Sequence, residues 1–213
     1  MVTLAADKNL RIEKLKLEPF GTNAYIVVCQ LSGDSVLVDA PGEPDQIIAH
    51  LKETNPKYIL LTHSHSDHTG ALTFLHSKLE IPVAAHPLDI KKLPLQPEVK
   101  LSDGDTVAFG KARLKVLHTP GHTPGSVCFV TSRYLLSGDT IFPGGPGKTR
   151  SPQDLKQIIK SITTKIFTLP DDTEVYPGHG EPTILSKEKG EFAVFSSRSH
   201  PSDLCGDVLW LSS

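Results

Sequence analysis

Thr62-His-Ser-His-Ser-Asp-His-Thr-Gly70 is the stretch on which the fold turns. His63, His65, Asp67 and His68 fall within six positions, directly behind the apolar run Tyr58-Ile-Leu-Leu61. An apolar run of that length bounded by turn residues reads as a buried strand. The polar cluster then lies on the loop leaving the strand's carboxyl end, where open α/β folds place their sites. Imidazole and carboxylate together are the ligand set of zinc, and of iron or manganese in related geometries.

Working outward, the same design recurs downstream. His122 lies in His118-Thr-Pro-Gly-His-Thr-Pro-Gly-Ser126, after Ala112-Arg-Leu-Lys-Val-Leu117. Asp139 lies in Ser137-Gly-Asp-Thr140, after Tyr134-Leu-Leu136, and His179 lies in Tyr176-Pro-Gly-His-Gly180, after Glu174-Val-Tyr176. Each is a strand, a sharp glycine-containing turn and one ligand-capable side chain. Seven ligands exceed one tetrahedral zinc and suit two metals sharing a bridge.

Composition narrows the class. A chain of 213 residues is most simply one domain with a sizeable core. Its formal net charge of −2 gives no electrostatic reason to expect nucleic acid or an anionic membrane as partner. No apolar run approaches the roughly 18 residues of a membrane span, and no basic, then apolar, leader opens the chain. Cys29, Cys128 and Cys205 are too few and too scattered for a disulfide framework, so a reducing cytoplasm is the expected setting. Cys128, inside Ser126-Val-Cys-Phe-Val130, reads as a buried apolar residue.

Periodicity predicts strands over 10–17, 23–28, 35–38, 81–85 and 106–109. It predicts helices over 45–54, ending at Asn55-Pro56, and over 70–79, with Leu72, Leu75 and Leu79 on one stripe. A third helix opens at Ser151-Pro152 with an N-cap serine and a proline at its first position, and runs to about Phe167 with Leu155, Ile158, Ile159 and Ile162 inward. Pro87–Pro97 reads as a mobile surface loop. His50 and His76 fall in predicted helices and are not expected at a metal. His118 is a candidate partner for a ligating imidazole. Asp39 is open between that role and capping a turn. By itself the pattern gives a mixed α/β fold.

The His-x-His-x-Asp-His box, followed in order by His122, Asp139 and His179, resembles the metallo-β-lactamase superfamily, and within it the glyoxalase II-like thioesterases, from about Phe20 to about Leu185. The resemblance implies an αββα sandwich: two packed mixed sheets with helices on the outer faces, one catalytic domain spanning 1–213 with 186–213 a short C-terminal extension. It implies that His63, His65 and His122 hold one divalent metal, that Asp67, His68 and His179 hold the other, and that Asp139 bridges. The implied cofactor is a pair of Zn²⁺ ions, with iron or manganese as alternatives. The implied activity is hydrolysis of a small acyl thioester by a metal-bridging hydroxide, with Asp67 and Asp139 orienting it. A persulfide dioxygenase using one iron, or a lactonase, is the alternative. No Gly-x-Ser-x-Gly supplies a serine nucleophile. Glyoxalase II enzymes read Gly-Cys-Gly-Lys and then aromatics after the bridging aspartate, and carry a further helical extension. Here Gly145-Pro-Gly-Lys148 is followed by Thr149 and Arg150, and about twenty-eight residues follow Leu185. Lys148 and Arg150 are thus the expected contacts for an anionic substrate.

Overall fold

The computed structural model of the chain describes residues 2–6 and 8–213. Among these, seven strands form a first sheet in sequence order: β1 (Val2–Ala6), β2 (Leu10–Leu17), β3 (Thr22–Cys29), β4 (Asp34–Val38), β5 (Asn55–Leu60), β6 (Val83–Ala85) and β7 (Val99–Lys100). Neighbours are antiparallel up to β4 and parallel from β4 to β7. A second sheet begins with β8 (Thr106–Phe109), β9 (Ala112–His118), β10 (Val127–Thr131) and β11 (Tyr134–Gly138). It is completed by β14 (Glu174–Pro177), parallel to β11, and β15 (Thr183–Ile184) at the edge. A small ribbon, β12 (Ile141–Phe142) with β13 (Gly145–Pro146), stands beside it.

Side-chain alternation explains the layering. In β3 every residue is buried, because Tyr25, Val27 and Cys29 face the second sheet while Ala24, Ile26 and Val28 face helices. Val36, Val38 and Leu60 meet Leu114, Val116, Phe129 and Leu136 between the sheets. The outer face of the first sheet is covered by α1 (Pro44–Leu51) and α3 (Leu72–Leu79), through Ile47, Leu51, Leu72 and Leu75. The outer face of the second is covered by α4 (Pro152–Ser161) and α5 (Leu185–Ser196), through Leu155, Ile158, Leu185 and Phe195, with Trp210 fully buried among them. Cys128 is buried in that layer as expected. The expected αββα sandwich is the architecture of the chain.

Four boundaries differ from the sequence reading. α1 ends at Leu51, and Asn55-Pro56 opens β5 rather than closing a helix. Pro56 lacks an N–H for the ladder, and the β4–β5 pairing slips one residue between Ser35 and Val36, opposite it. The expected helix over 70–79 is α3, beginning at Leu72, and a separate single turn, α2 (Ser66–Thr69), precedes it. Asp67 and His68 therefore sit on a helical turn and not on open loop. The third helix is α-helical only to Ser161, then widens to a π-turn over Ile162–Ile166, and Ile159 is only partly buried. Thr163 and Thr164 there donate their hydroxyls to the Ile159 and Lys160 carbonyls, the back-bonding that loosens a helix. Finally, Pro87–Pro97 is not a free loop: Asp89 is buried at 1% exposure, and a 3₁₀ turn follows it over Ile90–Lys92.

Candidate metal centre

The four ligand-bearing segments leave the carboxyl ends of β5, β9, β11 and β14 at one end of the sandwich. They bring all seven candidate ligands together. His63, His65 and His122 each offer a nitrogen within 4.8 Å of the others, as do the donor atoms of Asp67, His68 and His179. Asp139 stands between these groups: Oδ1 is 3.3 Å from His68 Nε2, and Oδ2 is 3.4 Å from His122 Nε2 and 3.8 Å from His179 Nε2.

Hydrogen bonds on the far side of each ring fix which nitrogen faces inward. His68 Nδ1 donates to Asp39 Oδ2 at 2.7 Å, His122 Nδ1 donates to the Lys148 carbonyl at 2.8 Å, and His63 Nδ1 lies 3.1 Å from Thr62 Oγ1. The Thr62 hydroxyl itself donates to Asp39, so it accepts from His63. In their neutral forms all three rings turn Nε2 inward as the free donor to a cation, the tautomer a metal requires. Asp39 is thus the partner of a candidate ligand, and it also accepts from the Thr62 amide at 2.8 Å. His118 has no such role: its Nε2 meets the Pro124 carbonyl and its ring stacks on His86.

Burial and the neighbouring charges pull the groups of the centre in opposite directions. Burial, reinforced by His68 and only partly opposed by Asp139, holds His63 well below its ordinary pKa. Burial and then His122 lower His65. For His68, burial opposes protonation, but Asp39 and Asp139 overcome it and push the group up to about 10. Asp139 resists burial in the same way, held far below the carboxylate range by His68, His63 and His122. Asp67 is lowered chiefly by its hydrogen bond with His179. Meanwhile His63 Nε2 and Asp139 Oδ1 are buried with no hydrogen-bond partner, and each such orphan costs about 1–3 kcal/mol. His65 Nδ1 faces His122 Nε2 at 2.9 Å, two nitrogens converging on one point. Cations placed there satisfy all of these atoms at once, and the N/O donor set fits zinc or iron.

Close approach explains two of the glycines. A Cβ on Gly178 would fall 2.3 Å from Asp139 Oδ1 and 2.5 Å from His68 Cε1. Gly138 has φ +48° and would meet Thr62 Cβ at 2.6 Å. The His179 turn is strapped to β3, because Asn23 Nδ2 donates to the Pro177 and Gly180 carbonyls and the Tyr25 hydroxyl donates to Pro177. Asn23 and Tyr25 carried no sequence signal, since their partners lie more than 150 positions away.

A cleft of about 320 Å³ opens beside Asp139, His122 and His179. Phe142, Pro143, Pro146, Val208 and Leu209 give it apolar walls. Lys148 lines it as well, but its ammonium is paired with Asp207 at 2.8 Å, both side chains being exposed. Arg150 reaches the other flank, with a guanidinium nitrogen 3.5 Å from His65 Nε2. The segment 186–213 therefore returns to the site: Gly206 pairs with Thr149, and the Trp210 amide donates to the Gly144 carbonyl. A larger hollow, lined by Lys111, Arg113 and Lys115, lies at the opposite end of the strands and contains none of the seven ligands.

This sandwich, with a His/Asp centre at the strand ends, defines a class of metal-dependent hydrolases. Residues 17–179 match the metallo-β-lactamase superfamily, and the chain belongs to it. It is 37% identical over 162 residues to the hydroxyacylglutathione hydrolase of Anaeromyxobacter dehalogenans, a match covering 75% of this chain and 62% of that protein. Among solved structures it is similar to BLEG-1 B3 metallo-β-lactamase, with TM-score 0.78 and 30% identity over 84% of this chain and 96% of that one. It is similar also to TTHA1623 in a di-iron-bound form, with TM-score 0.73 and 35% identity over 83% of this chain and 96% of that one.

Proposed function

We propose that the chain is a dinuclear metal hydrolase acting on a small, anionic acyl thioester of the hydroxyacylglutathione type. The observation that carries this reading is the placement of Asp139 between two three-donor groups, one of histidines alone and one containing Asp67. In it His63, His65 and His122 would hold one ion and Asp67, His68 and His179 the other, with Asp139 in reach of both groups. Such a pair of ions, most simply zinc, would supply an activated water and polarise an acyl carbonyl. Asp67, 3.1 Å from His179 Nε2 and partly exposed, is placed to orient the water. Phe142 and the Pro143–Pro146 ribbon hold the acyl part against water, while Arg150 and Lys148 meet a negative charge at the mouth. The thiolate leaving group needs little protonation, which suits a centre whose histidines would be engaged as donors to metal.

A neighbour of this fold holds iron, and we carry as a second reading an iron enzyme that oxidises a persulfide with a single iron. A panel of acylglutathiones, acyl-CoAs, lactones, a β-lactam and glutathione persulfide, assayed with metal analysis on the same sample, separates the two. Thioester turnover with two metals per chain supports hydrolysis. Oxygen uptake on the persulfide with one iron per chain would overturn it in favour of the second reading.

A further inference from the structure

The two halves of the centre are held by different buried aspartates. Asp39 serves His68, through the Nδ1 contact described above. Asp89 serves the other half, from a segment that on sequence reads as surface loop. Its Oδ2 accepts the Ser64 amide at 3.0 Å and the Thr123 hydroxyl at 2.7 Å, and its Oδ1 accepts the Gly125 amide at 2.9 Å. Ser64 lies between His63 and His65, and Thr123 follows His122. One carboxylate thus joins both segments that carry the three-histidine group. The approach is close enough that a Cβ on Gly125 would fall 2.6 Å from Asp89 Cγ. Thr123 is locked a second time, its hydroxyl 2.8 Å from Ser126 Oγ.

A carboxylate at 1% exposure, held by two amides and a hydroxyl, costs more to bury than an apolar residue of its size. That cost has a purpose at this position. The three histidines come from two segments 57 positions apart in His65 and His122, and among the described residues their group contains no carboxylate of its own. We propose that Asp89 is a positioning residue for the three-histidine half of the centre: it sets the spacing of His63, His65 and His122 and adds negative charge behind them. It does not act on the Asp67, His68 and His179 half. This rests on the metal-centre reading above.

The test is zinc affinity, measured by competition with a chromophoric chelator in full-length protein with one half of the centre disabled. His179→Ala leaves the three-histidine half, and His122→Ala leaves the other. Partners of metal ligands typically contribute 10–100-fold in affinity. Asp89→Asn, which keeps one oxygen acceptor, is expected to weaken zinc about ten- to a hundredfold in the His179→Ala background and less than about threefold in the His122→Ala background. Asp39→Asn should show the reverse. Thr123→Val removes one of the three bonds and should shift affinity in the same background by a smaller factor, which keeps the test open if Asp89→Asn does not fold. Equal weakening in both backgrounds, or none in either, overturns the positioning role. Zinc binding in neither background, with wild type also failing to bind, overturns the metal-centre reading itself.

Discussion

Asp139 illustrates how one side chain can decide a centre. Its two oxygens reach donors of both three-donor groups, so Asp139→Ala should lose metal and turnover together, measured as metal content and kcat on one preparation. His68 gives a proton to follow. Its Nδ1 stays bound to Asp39, and without a cation its other nitrogen is protonated up to pH about 10. Metal must displace that proton. Zinc binding near pH 7 should therefore release about one proton from this group, and apparent affinity should rise with pH until His68 itself is neutral. Calorimetry in buffers of different ionisation enthalpy reads the release, and none would contradict the assignment. For substrate, Lys148 already shares its charge with Asp207 in an exposed pair of the kind worth about 0–1 kcal/mol. Arg150→Ala should then raise KM for an anionic thioester more, roughly ten- to a hundredfold by the 1.5–3 kcal/mol of a charged hydrogen bond. Lys148→Ala should raise it by less, and neither should change kcat much. The seven candidate ligands were legible because residue type and spacing carry their chemistry. Asp89, Asn23 and Asp207 were not, because each acts through contacts 25 to 157 positions away.

At the scale of elements, the turns that follow the strands matter more than the strands. Gly178→Ala drives a methyl into Asp139 and His68, so it should abolish metal binding while the protein still melts cooperatively. Ser151 caps α4, accepting from the Asp154 amide and donating to its carboxylate. Ser151→Ala should cost about 1 kcal/mol, lowering Tm by roughly 2–4 °C for a chain of this size, without touching metal content. Sequence patterning found β2 and β8 to the residue and the Ser151-Pro152 start of α4, because period and cap chemistry are local. It missed β5 opening at Asn55-Pro56, where pairing with β4 continues past the proline through a one-residue slip. It missed the π-turn after Ser161, which is set by threonine hydroxyls competing for the backbone.

Across the whole molecule, the sandwich follows from buried strands that are apolar on both faces, but the pairing of strands does not follow from periodicity. What fixed the architecture in advance was the resemblance carried by the ligand turns. Those turns come from four strands in two sheets, so ions held between them tie the sheets together at one end. Bound metal should stabilise the fold by mass action, about 2.7 kcal/mol per site at a hundredfold excess over Kd, and chelation should lower Tm reversibly. The most direct test of the shared centre is metal stoichiometry titrated against thioester turnover on one sample, as zinc is returned to chelated protein. The account predicts turnover that appears only as the second equivalent per chain binds, and that Asp139→Ala never reaches. Full turnover at one equivalent would contradict it.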